Sequence, residues 1–159
     1  MQKQIFRLES EINARPKDVF AWHERPGAVE DLTPPWERVE VLVRAENLQV
    51  GARVVFKIRN GPLSKAWVAE HTEYNPPHLF TDVQRQGPFA HWVHRHRFEP
   101  TASGKTRMID EVEYALPFGW LGELAAGWFV RAKLQKMFAY RHQVVAKALN
   151  RNEFAAQAD

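Results

Sequence analysis

The chain has 159 residues, 45% of them hydrophobic and 26% charged, with a formal net charge of +3 and a pI near 9.3. That length suits one domain with a sizeable core, and the scattered bases, without a run of like charge, argue against a nucleic-acid binder. No cysteine is present, which excludes disulfides, thiolate metal sites and a cysteine nucleophile and fits a reducing cytoplasm.

The N-terminal stretch MQKQIFRLESEI alternates polar and apolar residues and lacks the apolar run of a signal peptide. Lys3–Ile12 therefore predicts a half-buried strand, with Phe6, Leu8 and Ile12 on one parity and Arg7, Glu9 and Glu11 on the other. Pro16 suits a first helical position and Asp18 a first turn. A short helix is expected over Pro16–His23 and a second over Ala28–Leu32, stopped by Pro34 and Pro35. Period two then returns. Val39, Val41 and Val43 mark one strand, and Val54, Phe56 and Ile58 mark the next, closed by a turn at Asn60-Gly61-Pro62. Strands follow over Lys65–Tyr74, Leu79–Gln86, His91–Glu99 and Thr106–Leu116, an antiparallel meander.

After Pro117 and Gly119 the period lengthens. Leu121, Leu124, Ala125, Trp128 and Ala132 share one helical face, and Leu134, Phe138, Val145 and Leu149 continue it. One long helix is expected from Gly122 to about Leu149, followed by a frayed tail over 152–159. No window reaches the ~18 apolar residues of a membrane span. The predicted fold is α+β: a seven-stranded antiparallel sheet with two short helices after the first strand and a long C-terminal helix, in one domain over 1–151.

The stretches VFAWHERPGAVEDLTPPW and FTDVQRQGPFAHWVHRHRF, with MIDEVEYALPFG and FAYRHQVV after them, carry a resemblance. They are similar to the START-like, or SRPBCC, superfamily, in a bacterial branch near two groups. One is polyketide cyclase/dehydrase-like, and the other resembles the G-type component of carbon-monoxide dehydrogenase. The resemblance implies the helix-grip fold, in which a curved sheet wraps around the long helix. It also implies a cavity between them for an apolar or aromatic molecule, with HERPGAVEDLTPPW placed as a lid.

The densest chemistry is in GPFAHWVHRHRFEP. Strand alternation puts Trp92, His94, His96 and Phe98 on one face and His91, Val93, Arg95 and Arg97 on the other. Trp92 and Phe98 mark the inward face, so His91 separates from the other two histidines. A hairpin centred on Pro88 sets Asp82 opposite His94 and Gln84 opposite Trp92. One centred on Ser103 sets His96 opposite Asp110 and Trp92 opposite Tyr114. His71, with Trp67 and Ala69, joins the same face.

Three readings follow. The cluster is a buried, mutually satisfied polar network. Alternatively it is the polar end of a ligand cavity, formed by Trp67, His71, Asp82, Gln84, Trp92, His94, His96, Asp110 and Tyr114, with Trp128 of the long helix over the ligand's body. Or it is catalytic, a His–Asp pair drawn from His94, His96, Asp82 and Asp110 acting as general base, as in the resembling cyclases. No HExxH or other metal-ligand spacing is present and the imidazoles use the carboxylates, so neither a metal nor a cofactor is expected. His23 and His142 read as ordinary helix residues, and Ser10, Ser64 and Ser103 lie outside any nucleophile elbow. Six Trp and ten Phe exceed what a small core needs.

The expected function is binding or transport of a small hydrophobic or aromatic molecule, of lipid, isoprenoid, quinone or polyketide type. A cyclase, dehydratase or isomerase and a non-catalytic interaction or assembly module are the alternatives.

Overall fold

A computed structural model of the chain describes residues 2–60 and 62–156. Strand β1 (Gln4–Ile12) is followed by helices α1 (Pro16–Glu24) and α2 (Ala28–Asp31). Strands β2 (Val39–Val43), β3 (Arg53–Asn60), β4 (Leu63–Asn75), β5 (Leu79–Gln86), β6 (His91–Pro100) and β7 (Thr106–Ala115) come next, and α3 (Trp120–Ala156) ends the chain. Every expected element is present. Gly61, at the centre of the expected β3–β4 turn, lies outside the described residues.

The strands form one seven-stranded sheet in the order β1-β7-β6-β5-β4-β3-β2, antiparallel at every pairing. The meander runs β2 to β7, and β1 closes on β7 with Phe6 opposite Val112 and Ser10 opposite Met108. Register shifts at Val41/Val43, Val68/Ala69 and His71/Glu73 add bulges, which bend strands and help the sheet curve around α3.

α3 begins at Trp120, earlier than expected, after Phe118 and Gly119 turn the chain at φ 66° and 57°. It is continuous through Ala156, past the expected end near Leu149, and residues 157–159 of the expected tail lie outside the described residues. Its buried stripe is Leu134, Phe138, His142, Val145 and Leu149, spaced at three and four residues as a single helix face requires. The first turns differ from the expectation: Leu121, Leu124 and Trp128 are exposed rather than packed on the sheet, as is Phe129 beside them.

The core divides in two. One cluster joins Ile12, Val19, Phe20, Phe80, Phe98 and Met108 to Val145 and Leu149. The other joins Phe6, Trp92, Val112 and Tyr114 to Leu134 and Phe138. Each long element passes from one cluster to the other and carries a polar residue at the crossing. Ser10 lies between Phe6 and Ile12, His94 and His96 between Trp92 and Phe98, Asp110 between Met108 and Val112, and His142 between Phe138 and Val145. A polar belt thus crosses the middle of the molecule.

Candidate functional site

The β5–β6–β7 register builds the centre of the belt. Asp82 stands opposite His94 on β5–β6, and His96 stands opposite Asp110 on β6–β7, with Trp92 opposite Tyr114. Across β4–β5, His71 stands opposite Asp82. His71, His94, Asp110 and His142 are buried, while the side chains of His96 and Asp82 keep 12% and 15% of their surface.

The contacts are less separate than directly opposed pairs would make them. The hydrogen bonds run diagonally: His94 Nε2 to Asp110 Oδ1 at 2.8 Å and His96 Nε2 to Asp82 Oδ2 at 3.2 Å. The opposed pairs are also in contact, His94 Nδ1 to Asp82 Oδ2 at 3.4 Å and His96 Nδ1 to Asp110 Oδ1 at 3.1 Å. The second oxygen of Asp110 accepts from His142 Nε2 at 2.8 Å, and the Ser10 hydroxyl donates to His142 Nδ1. His94 and His96 rings lie 3.7 Å apart, and Phe80 stacks on His96 at 3.9 Å, which fixes its plane.

These contacts set the charges. Burial alone would push the His94 imidazolium to lose its proton, but Asp110 and Asp82 outweigh it and raise His94 to about 9. Burial would raise both carboxyls, yet the facing imidazoles hold Asp82 and Asp110 far below the usual carboxylate range. His71 is lowered by its own burial, and its Nδ1 has no hydrogen-bond partner among the described residues. Arg141, on α3 beside the belt, donates from Nε to the Leu32 carbonyl at 3.2 Å and is lowered by burial.

Of the sequence-predicted residues, His71, Asp82, His94, His96 and Asp110 come together. Trp67, Gln84, Trp92 and Tyr114 form a neighbouring group: Trp67 meets Trp92 edge-on at 5.0 Å, and Gln84 Nε2 donates to the Phe89 carbonyl at 2.9 Å. Trp128 stands apart, 74% exposed, so its expected place over the sheet is corrected. That expectation equated apolar with buried on the first turns of α3. Trp120 and Phe129 are likewise exposed, whereas Trp22, on α1, is buried.

Sequence reasoning missed His142, Ser10 and His23. The signal for two of them was present. His142 falls on the α3 stripe four residues after Phe138, and Ser10 shares the inward parity of Phe6, Leu8 and Ile12. A polar residue at a core position is the informative departure. His91 sits on the outer face, held by Glu113 at 2.7 Å.

Two hollows, about 390 Å³ and 310 Å³, open at the surface where α2, β2 and the β2–β3 connection meet. Neither is lined by the belt. The larger one ends one peptide away from it, since Ala52 in its wall accepts the His71 backbone N–H at 2.9 Å.

A curved antiparallel sheet gripping one long helix, with a charged cluster on the inner face, defines a helix-grip protein. Residues 12–140 match the family described as polyketide cyclase / dehydrase and lipid transport, and the chain belongs to that family. Among curated protein sequences no match is found. A solved structure described as the nucleoside-diphosphate sugar epimerase from Corynebacterium glutamicum is 29% identical with a TM-score of 0.73. The match covers 91% of this chain but 29% of that one, so the chain spans under a third of that relative's length. The ZhuI aromatase/cyclase from Streptomyces sp. R1128 shares the fold at TM-score 0.74 and 12% identity, with 98% of each chain covered. Norcoclaurine synthase from Thalictrum flavum, a point mutant in complex with a transition-state analogue, does so at TM-score 0.72 and 14% identity, over 96% of this chain and 97% of that one. No described helix is long and apolar enough to cross a membrane.

Proposed function

We propose that the chain binds a small apolar or aromatic molecule bearing a carbonyl or hydroxyl group, with that group against the His94–His96–Asp82 end of the belt. The observation that carries this reading is the belt itself. Taking carboxylates and imidazoles out of water costs several kcal/mol per ion, and well-packed apolar residues in their place are often as stable or more so. A core built for stability alone has no use for a buried and a largely buried carboxylate ringed by histidines, and such perturbed clusters concentrate at functional sites. Membership of a family described by polyketide cyclisation, dehydration and lipid transport supports an apolar ligand with oxygen functions.

The two apolar clusters would hold the ligand's body, and the polar belt its oxygen. Entry would be from the larger hollow, past His71.

Quinones, fatty acids and aromatic polyketide-like acids are the compounds to screen, by thermal shift and tryptophan emission. A binder at one hundred times its dissociation constant stabilises the fold by about 2.7 kcal/mol, a rise of about 5–10 °C in Tm for a chain of this size. Trp92 and Trp67 border the belt, so emission should change with it. A bound compound recovered chemically changed, and unchanged with His96→Ala, would establish the acid–base enzyme instead. No shift with any compound would sink the binding reading.

An interaction module is the second reading. It is favoured by the exposed Trp128 and Phe129 and by the appearance of this fold as under a third of a longer chain.

A further inference from the structure

The donor-atom geometry of the belt has a consequence independent of any apolar ligand. Asp110 accepts on both oxygens, from His94 Nε2 on Oδ1 and from His142 Nε2 on Oδ2, and His96 Nδ1 lies 3.1 Å from Oδ1. Each of the three imidazoles turns one nitrogen to Asp110. The nitrogens left over, His94 Nδ1 and His96 Nε2, both face Asp82 Oδ2, at 3.4 Å and 3.2 Å. Two ring nitrogens and a carboxylate oxygen face one point, where a cation among them offsets the negative charge. A proton is one such cation.

We propose that a divalent zinc-class ion is the other, bound by Asp82 Oδ2, His94 Nδ1 and His96 Nε2. Four observations favour it. The three side chains each offer a donor atom, all within 4.8 Å of one another. The donor spacings are also those of a metal shell. Donors at the Zn–N and Zn–O lengths of ~2.0–2.2 Å lie about 3.3–3.5 Å apart in a tetrahedron, matching 3.4 Å and 3.2 Å better than the roughly 3.0 Å edges of an octahedron.

The outer shell is complete as well. A metal-bound histidine ordinarily donates its other N–H to a carboxylate. Here Asp110 takes that bond from His94, lies 3.1 Å from His96 Nδ1, and is itself held by His142, which Ser10 orients.

Finally, a histidine on the neighbouring strand has a buried nitrogen without a partner among the described residues. His71 is opposite Asp82, 6% exposed, close enough for Asp82 and His96 to act on its charge, and its Nδ1 has no hydrogen-bond partner among the described residues. A water or ligand oxygen in the fourth coordination position would give that nitrogen its bond. Three protein donors and one open position are the pattern of a site that presents a water or a substrate oxygen to the metal. The donors come from strands β5 and β6, so sequence spacing carries little trace of them beyond His94-x-His96.

The test uses the untagged full chain stripped with a chelator, titrated with Zn²⁺ against a chromophoric competitor and separately with Co²⁺. The expected result is one equivalent of Zn²⁺ per chain, a raised Tm, and the intense visible bands of four-coordinate Co²⁺. Asp82→Asn and His96→Ala should abolish binding. Asp110→Asn should weaken it about 10–100-fold by loosening the outer shell. His91→Ala, on the outer face, should bind as the parent does.

Parent protein that takes up no zinc overturns the proposal whether or not the variants fold. So does zinc held equally well by folded His96→Ala, or Co²⁺ spectra of an octahedral ion. Ligand binding by the metal-free chain is read in the separate compound screen, so either idea can fail without the other.

Discussion

At the scale of single residues, the polar belt was legible where strand parity and turn register acted together. His94, His96, Asp82 and Asp110 were placed by counting outward from Pro88 and Ser103, because a period of two leaves no freedom once a turn is fixed. The diagonal contacts were not legible. Directly opposed and diagonal neighbours are both within reach of an imidazole, and side-chain torsions decide between them. His23 shows the same limit. From the sequence it is a helix residue beside a tryptophan. In the structure it is buried, with Nδ1–H donating to the Val19 carbonyl at 2.8 Å and its ring 5.1 Å from Phe98. Burial is the chief cause that lowers it from 6.5 to about 4, with His96 and His142 pushing the same way and Asp110 opposing them. The unfolded chain takes up a proton near pH 6.5 that the folded chain refuses until about 4, so this contribution to stability is full above 6.5 and is lost as the pH falls towards 4. Between pH 7.5 and 5 it amounts to about 2 kcal/mol. Urea unfolding of the parent and His23→Gln at both pH values measures it. The parent should lose about 2 kcal/mol more than the variant, and equal losses would mean that His23 is protonated in the fold.

At the scale of elements, each strand was recognised because its apolar residues alternate and its ends carry Gly, Pro or Asn. α3 was recognised but half misread. From Leu134 onward its apolar residues face the sheet, and the stripe Leu134, Phe138, His142, Val145 and Leu149 is buried. Before it, Leu121, Leu124, Trp128 and Phe129 look the same in sequence and are exposed. Periodicity reports that a helix has an apolar face but not whether the sheet reaches far enough to cover it. The two halves should therefore respond differently to truncation. Phe138, wholly buried and 5.3 Å from the Phe6 ring, should cost about 3–5 kcal/mol as Phe138→Ala. Trp128→Ala removes a larger side chain but should change stability by less than about 0.5 kcal/mol. Chemical denaturation of both variants decides it: a destabilised Trp128→Ala would put that indole in the core after all.

For the molecule as a whole, the fold reads as a rigid half and a yielding half. β1, β7 and β6 are neighbours in the sheet, carry most of the sheet's buried apolar residues and are tied to α3 through Asp110 and His142. β2 is an edge strand. Leu42 and Val43 are about half exposed, its pairing with β3 is broken by a bulge, and both hollows border it. Backbone hydrogen bonds backed by few buried side chains open at low cost, and binding sites draw on such regions because something must move to admit a ligand. Amide hydrogen exchange should accordingly find residues 39–60 exchanging at least tenfold faster than the central amides of β6 and β7, where Val112 and Ile109 are fully buried. A compound that seats against the belt should slow exchange in this rim and around His71 more than in β7, since β7 is closed already. Uniform protection across the sheet would mean that β2 and β3 are not the way in, and the route to the histidines would have to be sought beneath α1 instead.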